Sequence, residues 1–179
     1  MIVGIFALMY HDMKFQAITR LILAGTLDKF PSLKLLLAHS AGALPALSSR
    51  LASCIAHDPI VASRLKHDAR YYLGRLYFDA VAYGSEELGF VSDVVARAGA
   101  YAGCEDVNKD LAGVWTRSEG STRMLFGTDH PFFPPLQESD KWRSVVENLD
   151  AIEGVRGWLD YDKNGVRGGN AVELFGLLE

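Results

Sequence analysis

Cysteine is scarce in this 179-residue chain, with only Cys54 and Cys104 present. Two thiols cannot build a disulfide framework, which argues against a small secreted scaffold and for a reducing, cytoplasmic setting. Clustered positive charge is missing too. Eighteen Lys and Arg stand against 22 Asp and Glu, for a formal charge of −4. No long basic run interrupts that balance, so neither nucleic acid nor an anionic membrane surface is expected as a partner. Long apolar runs are also absent. The apolar opening Met1 to Tyr10 falls short of the ~20 residues that span a bilayer, and it lacks the basic lead-in and cleavage pattern of a targeting signal. No repeat and no low-complexity tract is found.

What remains is ordinary for a soluble globular protein: 49% hydrophobic and 22% charged residues. The spacing predicts a helix from Asp12 toward Lys29, with Phe15, Ile18, Ile22 and Leu23 near one face, stopped at Phe30-Pro31. Lys34 to Ala38 (KLLLA) reads as a strand buried on both faces. Helices follow over Pro45 to Ala56 and Pro59 to Leu73. Leu76 to Val81 is a second strand, and Ser85 to Ala98 a helix whose Glu86 and Glu87 suit its positive end. Met124 to Gly127 is a third strand, with helices over Asp140 to Ile152 and Asn170 to Leu178. The order is one helix and then three strand–helix units, a parallel α/β arrangement. Ala100 to Ser121 breaks this rhythm, being polar and weakly periodic where a few residues would serve as a connection. It reads as a surface loop, a lid, or sequence foreign to the fold.

Parallel α/β folds carry their chemistry at the C-terminal ends of the strands. His39, Asp79 and Asp129 stand there, after KLLLA, LYFD and MLFGT. One histidine and two carboxylates suit metal binding and acid/base work. Two of them also have a plainer reading: His39 as a helix-capping or hydrogen-bonded residue, Asp79 as a cap for the next helix or an acceptor for loop amides. Asp129 leads into the stiff run His130-Pro131-Phe132-Phe133-Pro134-Pro135, which would fix a carboxylate beside an apolar wall. Cys54 and His57 have a spacing that can hold a metal. With no further ligand nearby, a small apolar residue beside a surface histidine is the simpler account.

Three segments, AITRLILAGTLDKFPSLKLLLAHSAGALPALSSRL, RMLFGTDHPFF and GGNAVELFGL, occur in this order. They resemble landmarks of the amidohydrolase-related decarboxylases, the family of aminocarboxymuconate-semialdehyde decarboxylase. LAHSAGALP with FGTDHPFFPP is most similar to the fungal-type 6-methylsalicylate decarboxylases. The resemblance covers most of Phe15 to Glu179, and is poor over 1–14 and 100–121. It implies the C-terminal portion of a TIM (β/α)8 barrel, about three strand–helix units preceded by a helix, with the barrel incomplete. A closed barrel takes roughly 250 residues.

The resemblance further implies a metal-dependent, non-oxidative decarboxylase of a small aromatic or enoic acid. His39 matches the proton-handling histidine, Asp129 the aspartate that binds a divalent metal (zinc is expected), and Arg50 an arginine that reaches a substrate carboxylate across a homodimer interface. A guanidinium fork suits a carboxylate; an ordinary surface arginine is the alternative. The family's first-strand His-x-His and a further metal histidine have no match in this chain, and His-Ser-Ala-Gly stands where the family has a glycine-rich run. The chain is therefore expected to be truncated, with its first fifteen residues and Ala100 to Ser121 read through from non-coding sequence. A lactone or amide hydrolase, or a non-catalytic fragment, are the competing readings.

Overall fold

The computed structural model describes residues 14–101, 116–129 and 137–177. Helix α1 covers 14–23 and ends at Gly25, whose φ of 65° is left-handed. A separate turn of helix, α2 (Thr26–Lys29), follows before Phe30. The single helix expected as far as Lys29 is thus broken in two. Asp12, where that helix was expected to start, lies outside the described residues.

Strands β1 (Leu36–Leu37), β2 (Tyr77–Asp79) and β3 (Met124–Leu125) form one parallel sheet in the order β1-β2-β3. Leu37 pairs with Phe78, and Phe78 with Met124. Phe78 is fully buried at the centre, as is Met124, while Leu36 is 48% exposed. The KLLLA run is therefore not buried on both faces. Among the described residues β1 has a strand on one side only. Three parallel strands with helices between them agree with an incomplete (β/α)8 barrel.

Between β1 and β2 lie α3 (Leu44–Ala56) and α4 (Pro59–Ala62). α4 opens on Pro59, with Asp58 accepting from the amides of Ile60 and Val61. The helix expected to run on to Leu73 stops at Ala62. Side chains take the amides it would have used: Asp28 accepts from Lys66 N at 3.1 Å, Tyr72 Oη from His67 N at 3.3 Å, and Asp68 from Arg70 N at 2.8 Å. The chain resumes as a 3-10 turn, Tyr71–Arg75.

After β2, α5 (Ser85–Ala96) carries Glu86 and Glu87 in its first turn as expected, and a 3-10 turn (Arg97–Tyr101) extends it. The irregular stretch 100–121 divides. Residues 102–115 lie outside the described residues, but 117–121 form α6 (Arg117–Ser121), capped reciprocally by Thr116 and Glu119. α6 is built into the fold: Gly120 and Ser121 are buried, and Arg117 forks onto Asp93 of α5 at 2.9 and 2.6 Å. After β3 come α7 (Arg143–Gly154), α8 (Asp160–Asn164), a π turn (Gly165–Gly169) and α9 (Asn170–Phe175). Buried Asp162 secures α8 and α6 together, accepting from Ser118 Oγ at 2.6 Å and Leu159 N at 2.8 Å. No helix among the described residues is long and apolar enough to cross a membrane.

Candidate active site

Parallel pairing in register brings the three strand ends to one rim, and the chain turns sharply at each. Among the described residues five non-glycine residues have positive φ: His39 (54°), Ser40 (50°) and Ala41 (64°) after β1, Tyr83 (59°) after β2, and Asp129 (56°) after β3. The left-handed region costs an L-residue roughly 1–2 kcal/mol. Strain of this kind gathers at functional sites because the surrounding structure must hold it. Four of the five line one cavity of about 440 Å³, together with Gly42, Pro45, Ala46, Val81, Ala82, Glu87, Phe90 and Val91. That volume suits a small ligand. The walls are largely apolar, and the polar groups gather at the strand ends.

His39 and Asp129 meet here, with Nε2 3.6 Å from Oδ1 and both side chains mostly covered. Tyr83 Oη donates to the other oxygen, Oδ2, at 3.5 Å. Burial pushes the Tyr83 phenol up to about 12, with the Asp129 carboxylate adding to the rise, so the phenol keeps its proton and remains a donor.

Of the two plainer readings, Asp79 follows the second: it accepts from loop amides and does not cap the helix after β2. Its Oδ1 accepts from Ser40 N at 3.0 Å and Val81 N at 3.1 Å, while its carbonyl accepts from Ser40 Oγ at 2.8 Å. The absence of glycine at the first three positions of His-Ser-Ala-Gly does not prevent a tight turn. Three consecutive residues adopt left-handed backbone instead, and Gly42 N closes the turn on His39 O at 2.8 Å. Gly127 must lack a side chain, since a Cβ there would sit 2.6 Å from Val81 Cγ2 and 3.3 Å from Asp79 Cβ.

Arg50 is on the exposed side of α3 and is not part of the cavity lining. The structure brings His39 and Asp129 together and leaves Arg50 apart. His130 and the proline-aromatic run after it lie outside the described residues. Cys54 is an exposed free thiol, and His57 Nδ1 contacts Ser53 O at 2.7 Å, closing the end of α3. Two site residues were not picked out in the sequence. Tyr83 is one, in the loop after β2. Lys14 sits near both Asp79 and Asp129, whose charges oppose the downward push of burial on its ammonium. Neither carries a local sequence signal.

Among the described residues no three His, Cys, Asp or Glu side chains converge. His39 and Asp129 are two donors where a catalytic metal commonly has three protein ligands. By themselves these residues do not complete a metal centre.

The amidohydrolase family profile matches residues 2–177. A 2-amino-3-carboxymuconate-6-semialdehyde decarboxylase from Dictyostelium discoideum is 25% identical over 162 residues, covering 90% of this chain and 36% of its own length. The crystal structure of Metarhizium anisopliae IDCase in apo form shares 30% identity at a TM-score of 0.73, over 94% of this chain and 40% of that one. A 5-carboxyvanillate decarboxylase from Novosphingobium aromaticivorans, complexed with manganese and 4-hydroxy-3-methoxy-5-nitrobenzoic acid, superposes at a TM-score of 0.64. It is 19% identical, over 90% of this chain and 38% of that one. The chain thus spans well under half the length of these relatives. The family profile nonetheless runs across all three strands and both residues that meet at their rim, and this chain belongs to the amidohydrolase family.

Proposed function

We propose that this chain carries the C-terminal share of a divalent-metal-dependent, non-oxidative decarboxylase acting on a small aromatic or enoic carboxylic acid. The observation that carries this reading is the His39–Asp129 pair, 3.6 Å apart, over a largely apolar cavity of about 440 Å³. Breaking the bond between a ring carbon and a carboxylate releases carbon dioxide and leaves the electron pair on that carbon. A proton must then reach the same carbon. His39, on the cavity wall beside Asp129, is the group placed to deliver it and to regain one from solvent. Asp129, 3.6 Å from the ring, would serve as one ligand for the metal. Phe90, Val81 and Ala82 seat the flat part of the substrate and exclude water. Arg50, outside this cavity, can meet a substrate carboxylate only in a neighbouring subunit, as a homodimer would supply.

The relatives named above support the reaction type, and the manganese bound in the 5-carboxyvanillate decarboxylase supports a divalent ion. Manganese and zinc are both candidates. The test is carbon dioxide release by the purified chain from ortho-hydroxybenzoic and enoic acids, with each metal added in turn, alongside metal content by mass spectrometry. Metal-dependent carbon dioxide release is expected. Ring opening or amide cleavage without it would move the assignment to a hydrolase of the same family. A second reading, a fragment without activity of its own, is favoured by the short span of the chain and the two-donor site. No turnover together with no bound metal would establish it.

A further inference from the structure

We propose that Asp79 is a positioning residue, clasping Ser40 and thereby holding His39 in the left-handed turn that directs its ring to the cavity and to Asp129. The inference rests on the reading of His39 as the proton-handling group. It goes beyond that reading by assigning the residue that makes the geometry possible.

The turn 39–41 strings three L-residues together in left-handed backbone, a conformation such residues visit singly and leave readily. Something must over-determine it. Backbone bonding contributes Ala41 N to Ala38 O (3.2 Å) and Gly42 N to His39 O (2.8 Å). Asp79, at the end of the neighbouring strand, adds two bonds to the middle residue of the turn. One carboxylate oxygen takes the Ser40 amide at 3.0 Å, and the Asp79 carbonyl takes the Ser40 hydroxyl at 2.8 Å. The Ser40 end of this clasp is well covered, at 5% exposed, and Asp79 is half-buried. The same carboxylate oxygen also accepts from Val81 N at 3.1 Å, so Asp79 is itself fixed by the loop it begins. β1 and β2 pair directly beside this point, with Leu37 opposite Phe78, so the clasp continues the sheet by one side-chain rung. His39 immediately precedes Ser40. Fixing Ser40 from two sides sets the direction from which the His39 side chain leaves the backbone.

The experiment reads His39 directly, using neither substrate nor metal. The full-length chain is treated with diethyl pyrocarbonate and modification at each histidine is followed by peptide mass mapping, with exposed His57 as the internal reference. The His39 side chain is 22% exposed, so opening the turn in D79A is expected to raise its rate about fivefold relative to His57. D79N keeps an oxygen at the same place for both amides and is expected to restore the wild-type ratio. Amide hydrogen exchange in the same proteins should show Ser40 and Val81 losing protection in D79A but not in D79N. Tyr77 and Phe78, which bond to Leu35 O and Arg123 O, should keep theirs. An unchanged His39 ratio in folded D79A, or equal behaviour of D79A and D79N, would overturn the proposal. If D79A does not fold, S40A replaces it: loss of the hydroxyl bond alone should raise the His39 rate about threefold, and no rise would count against the clasp. Absence of carbon dioxide release leaves this assignment standing, and failure of the clasp leaves the decarboxylase reading standing.

Discussion

His39 at the end of β1 and Asp129 at the end of β3 approach to 3.6 Å, with the whole of β2 between their strands. A contact that crosses three strand ends depends on both turns at once. H39N removes the acid/base group and keeps most of the volume, so turnover should fall about 100-fold or more with KM within about threefold. D129N should fall comparably, and the double variant should be scarcely worse than either single one, because groups acting as a unit are not additive. Steady-state rates for the three variants decide this. Losses that multiply would mean the two residues act separately.

Gly120 in α6 faces Ser92 of α5 so closely that an added Cβ would lie 1.9 Å from the Ser92 carbonyl oxygen. Backbone cannot step aside as a flexible side chain can. G120A must push α6 off α5 and strain the Arg117–Asp93 fork with it. The expected cost is about 3 kcal/mol, seen as a fall of roughly 6–12 °C in Tm. Thermal unfolding of G120A measures it. A Tm within about 2 °C of wild type would mean that α6 is not docked as described.

The order of elements was legible because apolar runs and their breakers leave a direct mark on composition. His39 and Asp129 were legible because strand ends can be counted from KLLLA and MLFG. Other features had no local mark. The end of α4 depends on Asp28 and Tyr72, which capture amides of Lys66 and His67 from elsewhere in the chain. α6 is polar because its partners are Asp93 and Asp162 rather than the apolar core. The turn at 39–41 looks ill-suited to left-handed backbone until Asp79 is beside it. In each case the missing term is a long-range polar contact, which hydrophobic periodicity does not report.

Asp68 accepts three hydrogen bonds from Arg70: from N at 2.8 Å, Nε at 2.9 Å and Nη2 at 2.9 Å. Burial pushes its carboxyl upward, but the Arg70 bonds outweigh this and hold it below the ordinary 3.8. A carboxyl lowered by folding stabilises the native state above its unfolded pKa and ceases to do so as pH falls through the folded value. D68N should therefore be less stable than wild type near about pH 6, with the gap closing toward about pH 2.5. Urea midpoints at these two values test the sign. A gap that stays constant would assign the loss to packing rather than charge.

Tyr83 gives the cavity both a ring and a hydroxyl, and the two can be separated. Its φ of 59° turns the side chain into the site, where Oη donates to Asp129 Oδ2 at 3.5 Å. Y83F keeps the ring wall and removes only that donor. At 3.5 Å the bond is long, so its contribution lies at the low end for a bond to a charged group, and kcat should fall about fivefold. KM should stay within about twofold, because the ring surface offered to substrate is unchanged. The phenol holds its proton up to about 12, so wild type and Y83F should share one alkaline limb up to about pH 10. A rise in KM with kcat unchanged would instead make the hydroxyl a substrate contact. An alkaline limb that vanishes in Y83F would mean the phenol ionises during turnover, and its role as a fixed donor to Asp129 would be wrong.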